Sequence, residues 1–177
     1  MSERYKTHGG GLFFVTLTVV GWVDLFTRAE YADVFLDSLR FCIARKGLRV
    51  YAFCIMPSHI HLIADLVSDD KELGQVLRDL KAHTAKTLYT HIEANPQESR
   101  REWLLRLLHY YGRPDGQAFK LWQAGNHPIS LQSAEWARQK LDYIHQNPVV
   151  ARLVSEAQCY PFSSAFADCN VPLTELL

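Results

Sequence analysis

Near its N-terminus the chain shows one strand-like and one helix-like pattern of apolar positions. Every second residue from Phe13 to Val19 is apolar, and two of the positions between are threonines, which is typical of a strand with one buried face. Thr27–Glu30 fits a capping box, and apolar residues follow at helical spacing until Gly47. These patterns predict a first strand and then a helix over about 28–46.

Two further strands are predicted on either side of Pro57-Ser58. Arg49–Met56 is rich in Val, Tyr and Phe, and the dipeptide interrupts this run just before the strand-like segment His59–Leu66. Because the interruption is short, we expect the two strands to pair as a hairpin.

The middle of the chain begins with a helical pattern and continues with a charged segment. Ser68-Asp69-Asp70 is predicted to cap a helix whose apolar positions recur at helical spacing as far as Asn95-Pro96. Residues 97–117 are rich in charged side chains and are interpreted as an inserted, partly helical excursion.

The order of the predicted elements, β-α-β-β-α-β-α, indicates the fold class. Ala118–Trp122 is interpreted as a short fourth strand, and Ser133 as the cap of a last helix that ends near Asn147-Pro148. This order matches the split βαβ, ferredoxin-like class of α+β folds, an antiparallel sheet with helices packed on one face. We expect a single domain over residues 1–177, with 155–177 as a C-terminal tail and the other sheet face free for a ligand.

Composition and charge narrow the broad class only slightly. The 177 residues are 48% hydrophobic and 21% charged, which is ordinary globular usage. Nineteen Lys and Arg residues balance nineteen Asp and Glu residues, so the net charge does not favour a polyanionic partner. All of the basic residues precede Ser155, however, and any polyanion site must be a local patch.

The densest basic region spans residues 76–120, which contain eight basic and five acidic residues. A basic helix face is often only a solvated surface, but together these residues are the best candidates for phosphate contacts. Two ring-bearing residues nearby are candidates for stacking on unpaired bases. The predicted DNA contacts are Arg78, Lys81, Lys86, Arg100, Arg101, Arg106, Arg113 and Lys120, with Trp122 and His127 as the stacking candidates.

The cysteines and apolar runs bear on the location of the protein. The four cysteines form no CxxC pair and lie in apolar surroundings, which favours reduced thiols in a cytoplasmic protein. The apolar run Leu12–Val20 contains two threonines and lacks a small-residue cleavage site, so it is interpreted as a strand. No stretch reaches the roughly 18 to 20 apolar residues of a membrane span, and we expect no membrane contact.

The sequence His59-Ile60-His61 is the first candidate for chemistry. On a strand, His59 and His61 share one face while Ile60 points to the other. Their Cβ atoms would lie roughly 7 Å apart, which suits two nitrogens that converge on one metal ion. Two histidines on the polar face of a strand are also common without a metal. Asp65 shares this face but lies about 13 Å along the strand from His61, a poor position for a third ligand.

The last predicted helix contains the second candidate, in the sequence KLDYIHQNP. Tyr143 and Asn147 are four residues apart and therefore project from one helix face. The core stripe of this helix is predicted to be Ala137, Leu141 and Ile144, which leaves the phenol and the amide on a flank toward the open sheet face. Ordinary packing of the helix is the alternative interpretation.

With MPSHIHLI, LWQAGNHPISL, KLDYIHQNPVVARLV and YPFSSA in that order, the chain resembles the HUH single-tyrosine transposases, in particular the REP-associated tyrosine transposase branch. The resemblance covers nearly the whole chain. It implies that His59 and His61 hold a divalent metal ion, Mg²⁺ or Mn²⁺, with Asn147 as third ligand and Gln146 as second choice. It also implies that Tyr143 attacks single-stranded DNA beside a hairpin, leaving a 5′-phosphotyrosine bond and a free 3′-hydroxyl.

Several alternatives stay open at this point. The chain is a DNA-nicking and rejoining enzyme on the first interpretation, and a domesticated hairpin-DNA-binding protein without cleavage on the second. A small metallohydrolase would use the histidine pair while Tyr143 is structural, and a ferredoxin-like RNA-binding module would need exposed aromatic residues on its central strands. The resemblance also leaves open whether the site forms within one chain or across a homodimer.

Overall fold

A computed structural model describes residues 11–68, 72–126 and 128–176 of the chain. These residues form a four-stranded antiparallel sheet with helices on both of its faces. The strands are β1 (Phe13–Thr18), β2 (Leu48–Ile55), β3 (His59–Leu66) and β4 (Ile129–Ser130), in the sheet order β2-β3-β1-β4. The α-helices in the described part of the chain are α1 (Ala29–Lys46), α2 (Leu73–Ala94), α3 (Arg101–Gly112) and α4 (Ala134–Val150).

The predicted ferredoxin-like, α+β class is confirmed by this topology. Strand β3 lies between β2 and β1, and every neighbouring pair is antiparallel. Helix α1 connects β1 to β2, and Gly47, in the left-handed conformation with φ 74°, ends this helix directly before β2. The hairpin of β2 and β3 forms as predicted around Pro57-Ser58.

The strands separate two kinds of surface because alternate residues point to opposite faces. On one face Val15, Leu17 and Leu62 are fully buried in the main core with α1 and α2. On the other face a smaller core forms around Phe14 and Ile63, and α4 covers part of it. Helices α1 and α2 therefore share one face as predicted, while the last helix lies against the opposite face.

The predicted fourth strand is in the wrong place. The segment that pairs with β1 is Ile129–Ser130, opposite Phe13 and Phe14, whereas Trp122 forms only an isolated bridge with Val19. The sequence of Ala118–Trp122 resembles a strand because it carries apolar side chains that pack in the core. Leu121 and Trp122 are only 1% and 4% exposed.

Two of the three predicted helix caps are also wrong. Thr27 does not cap α1, since its hydroxyl donates to the carbonyl of Asp24 at 3.0 Å and the helix starts after Arg28. Helix α2 starts only after Glu72, four residues beyond Ser68, while Asp69 and Asp70 lie outside the described residues. The third is confirmed: the hydroxyl of Ser133 accepts from the backbone N–H of Trp136 at 3.1 Å.

The predicted excursion at 97–117 is packed onto the rest of the fold. Helix α3 occupies most of it, and its Leu104 and Leu108 are buried in the main core. Glu98, 3% exposed, accepts from the guanidinium of Arg28 at 2.6 Å and fixes the start of the segment to α1. The segment is therefore part of the same core despite its high charge.

The C-terminal tail runs along the outer edge of β2. The N–H of Ile55 donates to the carbonyl of Phe162 at 2.8 Å, and the N–H of Ser164 donates to the carbonyl of Phe53 at 2.9 Å. Farther on, the N–H of Thr174 donates to the carbonyl of Val50 at 2.8 Å. The tail thus occupies the backbone groups that an edge strand otherwise leaves free.

The cysteines are reduced, as the sequence predicts, but they are not all packed in apolar surroundings. All four cysteines are free, and Cys42 and Cys54 are buried, but Cys159 is exposed rather than packed in apolar surroundings. No helix in the described ranges is long and apolar enough to cross a membrane.

Candidate functional site

His59 and His61 project from β3 onto the face that α4 partly covers. Their ring centroids are 4.8 Å apart, and the rings are inclined by 74°. Nδ1 of His61 lies 3.0 Å from the hydroxyl of Thr16, its register partner on β1, and Nδ1 of His59 lies 3.1 Å from the hydroxyl of Ser58. A hydroxyl that accepts from Nδ1–H leaves the lone pair of a neutral imidazole at Nε2, where a metal ion can bind.

Two buried polar atoms in this region have no partner. They are Nε2 of His61 and Nδ2 of Asn147, the only buried side-chain nitrogen or oxygen atoms of the described residues without a hydrogen bond. A buried polar atom without a partner costs about 1–3 kcal/mol. An imidazole nitrogen and an amide oxygen are both groups that bind divalent metal ions, and an amide can present either its oxygen or its nitrogen, so the chemistry of the two residues fits such an ion.

Burial keeps both imidazoles neutral. It lowers the pKa of His59, and burial, followed by the nearby His59 and Lys140, lowers the pKa of His61 to about 3. The neutral form is the one that binds metal ions, so at neutral pH no proton has to leave before the pair can act as ligands.

Tyr143 lies beside the histidine pair on α4. Its ring centroid is 5.4 Å from that of His61, and 47% of its surface is exposed. Phe14 contacts both rings, with centroids 5.3 Å from His61 and 6.0 Å from Tyr143. Ile144, which has no exposed surface, anchors this turn of α4 to the smaller core, so the phenol is held next to the imidazoles while much of Tyr143 stays exposed.

The geometry of α4 favours Asn147 over Gln146 as the residue next to this group. The predicted end of the helix near Asn147-Pro148 is wrong, because the helix continues through Pro148 to Val150. Asn147 therefore follows Tyr143 by one turn on the same face, and its amide nitrogen is buried, whereas Gln146 is exposed.

Asp65 is committed to other partners. Its carboxylate accepts from the guanidinium of Arg49 twice at 2.7 Å and from the hydroxyl of Tyr51 at 3.0 Å. In the described part of the chain no three His, Cys, Asp or Glu side chains gather into a group that could hold a metal. The amide of Asn147 as third ligand of a metal ion therefore stays a prediction.

Lys140 and Thr16 belong to the site but were not recognised from the sequence. The ammonium of Lys140 lies 5.3 Å from the ring centroid of Tyr143 and 5.0 Å from that of Phe14, within cation–π range. The sequence does contain a sign of the Lys140 contact, because Lys140 precedes Tyr143 by about one helical turn. Thr16 could be recognised only once the β1–β3 register was known.

The eight basic residues predicted to contact DNA divide into three groups. Lys81 is engaged within the protein: its ammonium donates to the carbonyls of Gln123 and Gly125 and to the side chain of Asn126, and burial lowers its pKa to about 8. Two others are in ion pairs, and five are exposed. The paired residues are Arg100, with Glu98 and Asp24, and Lys120, with Asp115; the exposed ones are Arg78, Lys86, Arg101, Arg106 and Arg113.

The two stacking candidates fare differently. Trp122 is a core residue, stacked on Phe26 at 5.9 Å, with its indole N–H donating to the hydroxyl of Thr84 at 3.1 Å. This burial argues against the predicted stacking of Trp122 on an unpaired base. His127 lies outside the described residues.

Comparisons with known proteins agree with the resemblance seen in the motifs. No family model matches the chain. A Haemophilus influenzae protein assigned to the REP-associated tyrosine transposases is 24% identical over 164 residues, which cover 93% of this chain and 85% of that protein. The resemblance to this family is confirmed.

Two solved structures were found to match the chain. A REP-associated tyrosine transposase bound to a REP hairpin is 21% identical and matches with a TM-score of 0.63 over 93% of this chain and 82% of the other. A candidate transposase from Deinococcus radiodurans is 17% identical and matches with a TM-score of 0.48 over 82% of this chain and 95% of the other. The first of these structures supports the fold assignment made above.

Proposed function

We propose that this protein is a transposase-type enzyme that nicks and rejoins single-stranded DNA beside a hairpin, with Tyr143 as its nucleophile. The assignment of its relative to the REP-associated tyrosine transposases and the hairpin bound to its structural neighbour support the substrate class. The observation that carries the proposal is the position of Tyr143: its ring centroid lies 5.4 Å from that of the buried His61. Nε2 of this imidazole has no hydrogen-bond partner among the described residues.

His59, His61 and Asn147 are the residues that would hold a divalent metal ion, Mg²⁺ or Mn²⁺. When bound, such an ion supplies positive charge that polarises the scissile phosphate and stabilises the charge that builds up during transfer. The chain prepares the ligands by keeping both imidazoles neutral and by orienting them through the hydroxyls of Thr16 and Ser58.

The transfer step uses the phenol of Tyr143. Its oxygen attacks the phosphorus and loses its proton, the bond from phosphorus to the 3′-oxygen breaks, and that oxygen leaves and takes up a proton. The products are a 5′-phosphotyrosine bond and a free 3′-hydroxyl. Attack by a 3′-hydroxyl on the phosphotyrosine reverses the step, so rejoining needs no further source of energy.

Exposure and charge around Tyr143 favour this role. A tyrosine is a weak nucleophile until its proton is removed. Because 47% of the side chain is exposed, both the substrate and a proton-accepting water can reach the hydroxyl. The ammonium of Lys140, 5.3 Å from the ring centroid of Tyr143, would add positive charge beside the phosphate under attack.

Covalent trapping tests the proposal. The protein is incubated with Mn²⁺ and labelled single-stranded hairpins that carry unpaired flanks, including those beside its own gene, and denaturing gels detect a protein–DNA adduct. We expect a metal-dependent adduct that Tyr143→Phe abolishes. Tyr110→Phe, which removes the hydroxyl of a tyrosine that is 65% exposed on α3, is the matched control and should form the adduct normally.

Other outcomes would favour the alternatives. A folded protein that binds metal and hairpins but forms no adduct would favour a DNA-binding role without cleavage for those substrates. Hydrolysis of a small phosphodiester that survives in Tyr143→Phe would favour a metallohydrolase in which the tyrosine is structural.

A further inference from the structure

Trp22 combines two unfavourable features. Its side chain is 61% exposed, and its backbone has a φ of 55°, which is positive like that of the preceding Gly21. In the described ranges only Trp22 and Arg152 have positive φ without being glycine. A bulky residue in this backbone conformation is strained, and an exposed indole gains little from burial in return. Such costs at one residue call for a functional explanation.

The backbone around Trp22 is held firmly despite the exposure of the side chain. The N–H of Val19 donates to the carbonyl of Ser58 at 3.0 Å, and the N–H of Val20 donates to the carbonyl of Leu121 at 2.9 Å. At Gly21 a Cβ would lie 3.0 Å from the hydroxyl of Tyr111, so the turn packs closely against α3. The indole therefore projects from a fixed turn, as a preorganised contact surface does.

The position of Trp22 relates it to the candidate site. Its ring centroid lies 5.6 Å from that of His59, inclined by 70°. The ring centroids of His59 and His61 are 4.8 Å apart, and those of His61 and Tyr143 are 5.4 Å apart. Trp22 and Tyr143 thus contact opposite members of the histidine pair. A strand whose scissile phosphate lies at Tyr143 and the imidazoles would bring a neighbouring nucleotide to the indole.

We propose that Trp22 is a stacking platform for an unpaired nucleobase in the single-stranded DNA next to the scissile phosphate. This inference rests on the proposed function, because it takes the histidine pair and Tyr143 as the site of the phosphate. Every base has an aromatic face, so the platform tolerates any base and serves to position the strand rather than to read its sequence. The alternative is that Trp22 only steadies the ring of His59 through its edge contact.

The test measures stacking directly, in the Tyr143→Phe background so that the DNA stays intact. Hairpins carry the fluorescent base 2-aminopurine at successive positions of the unpaired flank, and both its quenching and the hairpin affinity are measured in the presence of Mn²⁺. We expect quenching at one flank position, its loss in Trp22→Ala, and an affinity about 5- to 100-fold weaker. Trp22→Phe should restore most of both effects because it keeps an aromatic face.

Two controls separate stacking from other roles. Phe41→Ala removes an aromatic side chain of similar exposure, 56%, on the outer side of α1 and should leave quenching and affinity unchanged. A hairpin without an unpaired flank should bind equally well with and without Trp22. Mn²⁺ affinity, measured by electron paramagnetic resonance without DNA, should also be unchanged in Trp22→Ala.

Several results would overturn the inference. Unchanged quenching and affinity in Trp22→Ala would remove the platform. Weakened Mn²⁺ binding that accounts for the whole DNA effect, with no rescue by Trp22→Phe, would leave only support of His59. Failure of the proposed function is distinguishable: Trp22-dependent quenching in a protein that never forms the Tyr143 adduct would support stacking and refute cleavage, whereas no hairpin binding would refute both.

Discussion

The two faces of the sheet are built by the same strands but have opposite properties. Toward α1 and α2, Val15 and Leu62 have no exposed surface and pack in a continuous apolar core. On the other face the register pair of Thr16 and His61 places a hydroxyl beside an imidazole, and Nε2 of that buried ring has no partner in the described part of the chain. The apolar face therefore supplies stability, whereas the polar face carries unfavourable contacts that a bound ligand would offset.

Leu62→Ala should have the largest effect on stability. The side chain is fully buried between the sheet and the helices, and removing it leaves a cavity. We expect the free energy of unfolding to fall by about 3 kcal/mol, measured by urea denaturation. A loss below about 1 kcal/mol would mean that this face is not the main source of stability.

His61→Leu, on the opposite side of the same strand, should leave stability without metal within about 1 kcal/mol of the wild-type value. The substitution removes a buried atom that lacks a described partner, which compensates for the lost contact with Thr16. Its effect should appear with metal: Mn²⁺ at a hundredfold excess over its Kd stabilises a binding protein by about 2.7 kcal/mol. We expect this gain in the wild-type protein and not in the variant, measured by urea denaturation with Mn²⁺ and with a chelator. An equal gain in both would refute metal binding at His61.

Acid should weaken the protein through the polar face. Because burial lowers the pKa of His61 to about 3, the folded protein binds fewer protons than the unfolded chain between about pH 6.5 and 3. The free energy of unfolding should therefore fall as the pH drops through this window, by about 1 to 2 kcal/mol at pH 5 from this histidine.

Urea denaturation at pH 7, 6 and 5 with a chelator present measures this effect. His61→Leu should show a shallower dependence on pH than the wild-type protein. Identical slopes would place the responsible groups elsewhere.

The smallest effects are expected on the outer surface of α2. Arg78 and Lys86 are exposed there, so Arg78→Ala and Lys86→Ala should leave stability unchanged within about 0.5 kcal/mol. If they contact phosphates, each should weaken hairpin binding a few-fold and reduce the salt dependence of binding by about one phosphate contact. Arg45→Ala at the end of α1 is the matched control. Binding curves at several salt concentrations would show whether the substrate extends beyond the polar face.

The sequence predicts best where a regular period meets a strong punctuation signal. The bounds of β3 were predicted without error because Pro57-Ser58 precedes it and the alternation within it is clear. The two-residue period of the strand predicts that His59 and His61 share one face of β3. Helical spacing predicts that Tyr143 and Asn147 share one face of α4. What joins the two pairs is the packing of α4 against the sheet, and no local pattern contains that contact.

The errors arise where tertiary packing replaces local signals. The sequence offers Trp122 as a stacking candidate, but its side chain is buried against Phe26. It offers Lys81 as a phosphate contact, but the ammonium is hydrogen-bonded to the loop at Gln123–Asn126. Strand β4 has only two residues, too few for a periodic signal. Trp22 was overlooked because its significance lies in its backbone conformation and its contact with His59, neither of which can be read from residue order.

The path of the C-terminal tail has a consequence for solubility. Strand β2 is rich in Val, Tyr and Phe, and its outer backbone groups are occupied at Ile55, Phe53 and Val50 by residues 162–174. An uncovered strand of this composition is a template on which other chains can add strands and start aggregation. A chain shortened before Tyr160 would keep every residue of the candidate site and yet form aggregates.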